Sequence, residues 1–93
     1  MKDPIGCKVK IMGRVQGVFF RAETRNAALN LGIMGYVKNL PDGSVEAFFQ
    51  GSRPDVENML GWCKKGSPAS RVDDVIHEPM PFQDDLTGFQ VLY

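Results

Sequence analysis

The stretch GRVQGVFFR (residues 13–21) separates two segments whose apolar residues recur with different periods. Before it, Cys7, Val9 and Ile11 alternate with lysines, which is the period of a half-buried strand. After it, apolar residues recur at helical intervals, with polar residues on the other side. Gly13 is predicted to end the strand. The stretch therefore predicts a glycine-containing loop that joins a strand to a helix.

Glycine, proline and capping residues divide the rest of the chain. Gly32 ends the first predicted helix. A hairpin follows, with strands at residues 35–39 and from Val45 joined by the turn Leu-Pro-Asp-Gly. Residues 52–55 carry a capping serine, a proline and an acid, which predict a second helix that ends at Gly66.

Two further strands complete the pattern. Residues 72–76 are strand-like with broken alternation, which indicates a β-bulge, and residues 89–93 form the last strand. Because two amphipathic helices cannot cover both faces of the sheet, we expect both on one face. The predicted fold class is α+β, a ferredoxin-like split βαβ sandwich (βαββαβ plus a C-terminal strand) with an antiparallel-rich sheet. We expect a single domain over residues 1–93.

Composition and charge exclude several classes of protein. The chain has a formal net charge of zero, which is a poor match to a protein that binds nucleic acid mainly through phosphates. No apolar run reaches the roughly 18 residues of a membrane helix, and the N-terminus lacks a signal-peptide core. We therefore expect a cytoplasmic protein with no membrane or nucleic-acid partner.

The sequence offers few conventional catalytic groups. Cys7 and Cys63 have no metal-ligand spacing and are expected as reduced, half-buried thiols. His77, the only histidine, lies on a late strand and is expected at the surface or in packing. No nucleophile or general base stands out, and no metal or cofactor is predicted.

The loop at residues 13–21 has the features of an anion site. Backbone N–H groups at a helix start lack intrahelical partners, and the helix dipole favours an anion there. Gly13 and Gly17 allow successive N–H groups to converge. Arg21 is unfavourable at a helix start unless an anion binds beside it, and its planar guanidinium suits two phosphate oxygens. A tight connection with surface arginines explains the same residues, so both interpretations stay open.

Several segments together resemble the acylphosphatase family. They are GRVQGVFFR at residues 13–21, LGIMGYVKN at 31–39, DGSVE at 42–46, GSPASRV at 66–72, and Gly88-Phe89. The resemblance spans about residues 7–93 without a large insertion. It implies the fold predicted above and an enzyme that hydrolyses acyl phosphates to a carboxylate and orthophosphate. The expected small-molecule partners are then an acyl phosphate and inorganic phosphate.

The resemblance also implies roles for individual residues. Arg21 would bind the phosphate oxygens, and Asn39 would position the attacking water, although the local sequence alone favours a turn residue before Leu40 and Pro41 at that position. Backbone N–H groups would cradle the phosphate, and they belong to Val15, Gln16, Gly17, Val18, Phe19 and Phe20. Because an acyl phosphate has a good leaving group, positioning and charge stabilisation suffice, and neither a metal nor a cofactor is required.

The other side chains in and near these segments are mostly expected to have structural roles. Gln16 is expected to act as scaffold, and Arg14 either steers anions or is simply solvated. Phe19 and Phe20 are expected to pack rather than contact substrate, although many bacterial members of the family have Gly-Phe there. Phe48, on the sheet face opposite the helices, is expected to help cover the sheet.

Two other functions remain open from the sequence. One is a non-catalytic module that binds an anion or RNA; RNA binding of the common kind requires paired aromatic residues and a basic surface. The strand faces instead carry Lys8, Lys10 and Met12, then Glu46, Phe48 and Gln50. A regulatory acylphosphatase-like domain of a larger carbamoyl-transferring enzyme would normally be followed by zinc-binding cysteine pairs. We expect a stand-alone, monomeric enzyme.

Overall fold

The computed structural model describes residues 4–93. The elements in chain order are β1 (Pro4–Arg14), α1 (Phe20–Leu31), β2 (Met34–Asn39), β3 (Val45–Ser52), α2 (Arg53–Lys65), β4 (Arg71–Met80) and β5 (Phe89–Leu92). This order confirms the predicted sequence of strands and helices. In the part of the chain that the structure describes, no helix is long and apolar enough to cross a membrane.

The five strands form one sheet in the order β4-β1-β3-β2-β5. All neighbouring strands are antiparallel except β2 and β5, which run parallel. In that pair Val37 lies opposite Val91 and Lys38 lies opposite Leu92. The extra C-terminal strand therefore lies beside β2, and its last residues reach the end of β2 that carries Asn39.

The core lies between the sheet and the two helices. The helices contribute Phe20, Thr24 and Ala28 from α1, and Val56, Met59 and Cys63 from α2, all of them buried. The sheet contributes alternating residues, among them Val9, Ile11, Val37, Val45, Ala47 and Phe49. Both helices contact the sheet and each other, which confirms an α+β sandwich with both helices on one face.

The opposite face of the sheet is covered by side chains and by the segment before β5. Phe48 is 1% exposed and stacks on Tyr36, with ring centroids 6.2 Å apart. Gln50 Nε2 donates to the carbonyl oxygen of Gln83 at 2.9 Å, and the Gln83 N–H donates to Gln50 Oε1 at 2.7 Å. Phe48 thus helps to cover the sheet, as expected.

The first strand is longer than its sequence predicts. β1 continues through Gly13 to Arg14, so the prediction that Gly13 ends the strand is wrong. Gly13 has φ 130°, and a Cβ atom there would lie 2.2 Å from the carbonyl oxygen of Arg71 on β4. The glycine is required by this close approach of two backbones and does not break the strand.

The bulge predicted from the broken alternation of β4 is confirmed. Met12 pairs with Asp74, whereas Gly13 pairs with Val72, so Asp73 is the extra residue on β4. A single inserted residue changes which side chains share a face of the strand. For this reason both Val72 and Val75 pack against the core although three positions separate them.

The two thiols are more deeply buried than expected. Cys7 is 5% exposed and Cys63 is fully buried, and both are free cysteines. Burial raises the pKa of the Cys7 thiol, and it raises the pKa of the Cys63 thiol to about 12. The expectation of half-buried thiols is wrong, and both groups behave as small apolar core residues.

Candidate active site

Residues 15–19 connect β1 to α1 and contain two left-handed backbone conformations. Gly17 has φ 73°, and Phe19, the N-cap residue of α1, has φ 58° and ψ 22°. A Cβ atom on Gly17 would meet nothing within 4 Å, so this glycine serves the backbone conformation and not a tight contact. Left-handed residues in a loop before a helix favour a concave arrangement of N–H groups that binds anions.

The first turn of α1 has no side-chain cap. Phe19 cannot accept a hydrogen bond through its side chain, and none is made there. At the start of α2, by contrast, Ser52 Oγ accepts the Asp55 N–H at 3.4 Å. Within residues 4–93, no backbone or side-chain oxygen accepts a hydrogen bond from the N–H groups of residues 16–19. These donors are therefore open to an anion.

The loop is anchored on both sides. The side chains of Val15 and Val18 are buried in the core, and Ser67 Oγ donates to the carbonyl oxygen of Val18 at 3.1 Å. Gln16 Nε2 donates to the carbonyl oxygens of Leu40 and Ser44, at 2.8 Å each. The loop is thereby fixed to the α2–β4 connection and to the β2–β3 turn.

Arg21 lies at the start of α1 and is held by the C-terminal segment. Its Nη1 donates to the carbonyl oxygen of Leu92 at 2.9 Å, and its Cζ lies 4.7 Å from the centroid of the Tyr93 ring. Arg21 is absent from the ion pairs found among residues 4–93. The guanidinium is thus oriented without an acidic partner, and its other donors remain free for an anion.

Asn39 is the last residue of β2 and lines the same cavity as Arg21. Its Oδ1 atom is buried and, among the described residues, has no hydrogen-bond partner. Buried polar atoms are normally paired with protein or with ordered water. The Oδ1 atom is thus a buried acceptor left without a partner in residues 4–93, which indicates a role for Asn39 beyond packing.

The turn that follows Asn39 is fixed by its own polar contacts. Asp42 Oδ1 accepts hydrogen bonds from the Ser44 N–H at 2.9 Å and from the Ser44 hydroxyl. The Lys10 Nζ lies 3.0 Å from the other carboxylate oxygen. These hydrogen bonds from Ser44, with the Lys10 ammonium, hold the pKa of the Asp42 carboxyl well below its usual range.

A cavity of about 340 Å³ joins these groups. Six of the predicted site residues line it, namely Val15, Gly17, Phe19, Phe20, Arg21 and Asn39. Gln16 and Val18 do not line it; the Gln16 side chain reaches the β2–β3 turn, and the Val18 side chain belongs to the hydrophobic core. The sequence reasoning missed Ala22, Val91 and Tyr93. The alternation of β5 places Val91 and Tyr93 on one face, but only the position of β5 beside β2 brings them to the cavity.

The two phenylalanines of the loop have opposite environments. Phe20 is 1% exposed and contacts Trp62, with ring centroids 5.5 Å apart, so its expected packing role is confirmed. Phe19 is 80% exposed and does not pack in the core. The prediction for Phe19 is wrong because its left-handed backbone turns the ring away from the helix–sheet interface. Arg14 and His77 are exposed and line no part of this cavity.

The fold is a ferredoxin-like α+β sandwich, and its candidate site is a cavity at the junction of strand, loop and helix. The acylphosphatase family matches residues 7–91. The chain belongs to the acylphosphatase family.

Individual relatives agree with this assignment along most of their length. An acylphosphatase of Synechococcus sp. is 51% identical over 91 residues, which cover 98% of this chain and 96% of the relative. An acylphosphatase of Syntrophobacter fumaroxidans is 49% identical over 85 residues, with 91% and 88% covered. The structure of an acylphosphatase from Coxiella burnetii is similar with a TM-score of 0.91 at 33% identity, covering 99% of this chain and all of that one.

Proposed function

We propose that this acylphosphatase hydrolyses the carboxyl–phosphate bond of small acyl phosphates with the loop of residues 15–20, Arg21 and Asn39. One observation carries the proposal. The start of α1 without a side-chain cap, Arg21, which has no ion-pair partner among residues 4–93, and Asn39, whose buried Oδ1 has no hydrogen-bond partner there, all line one cavity. A cationic end with many N–H donors suits a phosphoryl group, and a separate buried acceptor suits a water molecule.

The phosphoryl group binds at the start of α1. Its oxygens accept hydrogen bonds from the backbone N–H groups of Val15, Gln16, Gly17, Val18, Phe19 and Phe20, of which those at the helix start also benefit from the helix dipole. Arg21 neutralises charge on the same oxygens through donors that its bond to Leu92 leaves free. Since Arg21 and the loop are anchored before substrate binds, little reorganisation is needed as charge develops in the transition state.

Asn39 directs the nucleophile. Its Oδ1 accepts a hydrogen bond from a water whose oxygen attacks phosphorus in line with the leaving carboxylate. The bond between phosphorus and the bridging oxygen breaks, and its electron pair leaves with the carboxylate. The proton lost by the water passes to an oxygen of the substrate. The products are a carboxylate and orthophosphate, and positioning with charge stabilisation accounts for the rate.

Further properties belong to the same proposal. The reaction uses only N–H donors, a guanidinium and an amide, so it proceeds without a metal or another cofactor. We also propose that the protein acts as a cytoplasmic monomer. Nucleic acid is not a partner on this account, because Phe48 is 1% exposed and Gln50 is fully buried on the face where an RNA-binding sheet needs exposed aromatic residues. The exposed lysines of that face are in part paired with Glu46.

The test is hydrolysis of benzoyl phosphate with a chelator present. The native protein is expected to be active, and Arg21→Ala is expected to lose about 10²–10³-fold in kcat/KM, because one preorganised donor to developing charge contributes about that much. Arg25→Ala is the matched control, since Arg25 is exposed on the same helix and lies outside the cavity. An inactive native protein, or an Arg21→Ala variant as active as Arg25→Ala, would overturn the proposal.

A further inference from the structure

We propose that the exposed ring of Phe19, together with Tyr93, forms an apolar rim that selects acyl phosphates with an aromatic acyl group. The inference rests on the function proposed above for the cavity. It adds a substrate class, because the phosphate-binding groups do not discriminate between acyl groups. The rim is defined here as Phe19, Ala22, Val91 and Tyr93, all of which line the cavity.

Phe19 combines a strained backbone with an unpacked side chain. It is the only non-glycine residue with positive φ among residues 4–93. A left-handed conformation is unfavourable for a bulky residue, and such strain is concentrated at active sites and ligand clamps. The ring is 80% exposed, so core packing does not offset this strain. A glycine would adopt the same backbone freely, which leaves the ring itself without a structural role.

Tyr93 provides a second aromatic wall. Its side chain is fully exposed, and its ring lies against the Arg21 guanidinium, 4.7 Å from Cζ to the ring centroid. The cavity therefore has a polar end, at Arg21 and Asn39, next to an apolar rim. A phosphoryl group bound at the polar end directs its acyl group towards that rim. A volume of about 340 Å³ is in the range of small-ligand sites.

An aromatic acyl group fits the rim best. Aromatic rings attract one another at centroid distances of roughly 4.5–7 Å, in offset-stacked or edge-to-face arrangements. A benzoyl group extends one ring beyond the carbonyl carbon and offers this contact, whereas an acetyl group offers a single methyl. The rim is thus expected to favour benzoyl phosphate over acetyl phosphate.

The test compares kcat/KM for benzoyl phosphate and acetyl phosphate in each variant. Because both substrates carry the same phosphate, any damage to the loop affects both, and the ratio isolates the acyl contact. Phe19→Ala is expected to lower the benzoyl-to-acetyl ratio about fivefold, and Tyr93→Ala is expected to lower it independently. Phe19→Tyr is expected to keep the ratio. The control is Leu29→Ala, a half-exposed apolar residue on α1 outside the cavity, which is also expected to keep it.

The outcomes separate this inference from the proposed function. An unchanged ratio in active, folded Phe19→Ala and Tyr93→Ala overturns the aromatic rim and leaves the hydrolase site intact. A native protein that hydrolyses neither substrate overturns the proposed function, and the inference with it. A reduced ratio in the two rim variants, with Phe19→Tyr and Leu29→Ala at the native value, supports the inference.

Discussion

Replacement of Gln16 by alanine removes the side-chain bridge between the phosphate loop and the β2–β3 turn. Gln16 Nε2 donates to the carbonyl oxygens of Leu40 and Ser44, at 2.8 Å each. Since this turn directly follows Asn39, one side chain connects the two halves of the proposed site. We expect Gln16→Ala to destabilise the fold and to lower kcat/KM for benzoyl phosphate.

The size of the stability loss follows from the contacts. An intramolecular hydrogen bond contributes about 0.5–1.5 kcal/mol. Neither carbonyl is left unpaired, because the Ser44 oxygen also accepts the Leu40 N–H at 2.8 Å and the Leu40 oxygen also accepts the Gly43 N–H at 3.1 Å. The two lost bonds therefore contribute about 1–3 kcal/mol to the free energy of unfolding. With a urea m-value of about 1 kcal/mol/M, the unfolding midpoint falls by roughly 1–3 M.

Urea unfolding followed by circular dichroism measures this loss. Two further variants test whether it comes from the hydrogen bonds of Gln16. Gln16→Glu places a carboxylate against two carbonyl oxygens, so it is expected to cost more than alanine at pH 7. Carbonyl oxygens beside a carboxylate raise its folded-state pKa, so the extra cost of Gln16→Glu should shrink as the pH falls towards about 4 and be absent below it, where the glutamate is protonated in both states. Gln90→Ala, at an exposed position on β5, is the control and should change stability by less than about 0.5 kcal/mol. Equal urea midpoints for Gln16→Ala and Gln90→Ala would show that the two hydrogen bonds of Gln16 do not stabilise the fold.

Three other predictions concern stability and reactivity. Phe20→Ala is expected to lower the free energy of unfolding by about 3–5 kcal/mol because the ring is buried. Phe19→Ala should change the free energy of unfolding by less than about 0.5 kcal/mol because the residue is exposed. Similar urea midpoints for the two variants would contradict this difference. Hydrogen bonds from a neighbouring serine and a lysine ammonium lower the pKa of Asp42 in the folded state. The ionised carboxylate therefore stabilises the fold above its unfolded pKa, and this contribution to the free energy of unfolding is lost as the pH falls below about 4. The difference in urea midpoint between native protein and Asp42→Asn should therefore narrow in acid, and a constant difference from pH 7 to about pH 2 would count against this account. Because burial raises the pKa of Cys7 and of Cys63, both thiols should react with a thiol reagent such as DTNB only after unfolding, and rapid labelling of the native protein would show that they are accessible.

Elements whose signals lie within one or two turns of chain were predictable from the sequence. Gly32 ends α1 with φ 69°, and Ser52 caps α2 through its hydroxyl. The hairpin of β2 and β3 follows from a turn of five residues. Each of these signals acts on neighbouring backbone groups, so no tertiary information is needed to recognise it.

Features that depend on a partner strand were not predictable in the same way. Gly13 has the appearance of a strand end, and only the nearby backbone of Arg71 explains why it is a glycine within β1. The position of β5 beside β2 likewise follows from packing and not from local pattern. The sequence therefore does not predict that Val91 and Tyr93 line the cavity, although it shows that they share one face of β5.

The residues of the candidate site likewise differ in how far the local sequence predicts them. Local chemistry indicates an anion at the loop and at Arg21, but Asn39 was proposed for the site only through the family resemblance. The structure adds what neither source contains, a buried Oδ1 without a partner in the described part of the chain. The exposure of Phe19 was missed because the sign of φ in a loop cannot be read from apolar spacing.

In the proposed reaction Asn39 positions water while the loop and Arg21 bind phosphate. The most direct measurement gives kcat for benzoyl phosphate and the inhibition constant of inorganic phosphate, in native protein, Asn39→Ala and the exposed-site control Asn30→Ala. We expect Asn39→Ala to lose about 10²-fold in kcat while the inhibition constant of phosphate changes by less than about threefold. A native kcat in Asn39→Ala, or a loss of phosphate affinity as large as the loss of kcat, would contradict it.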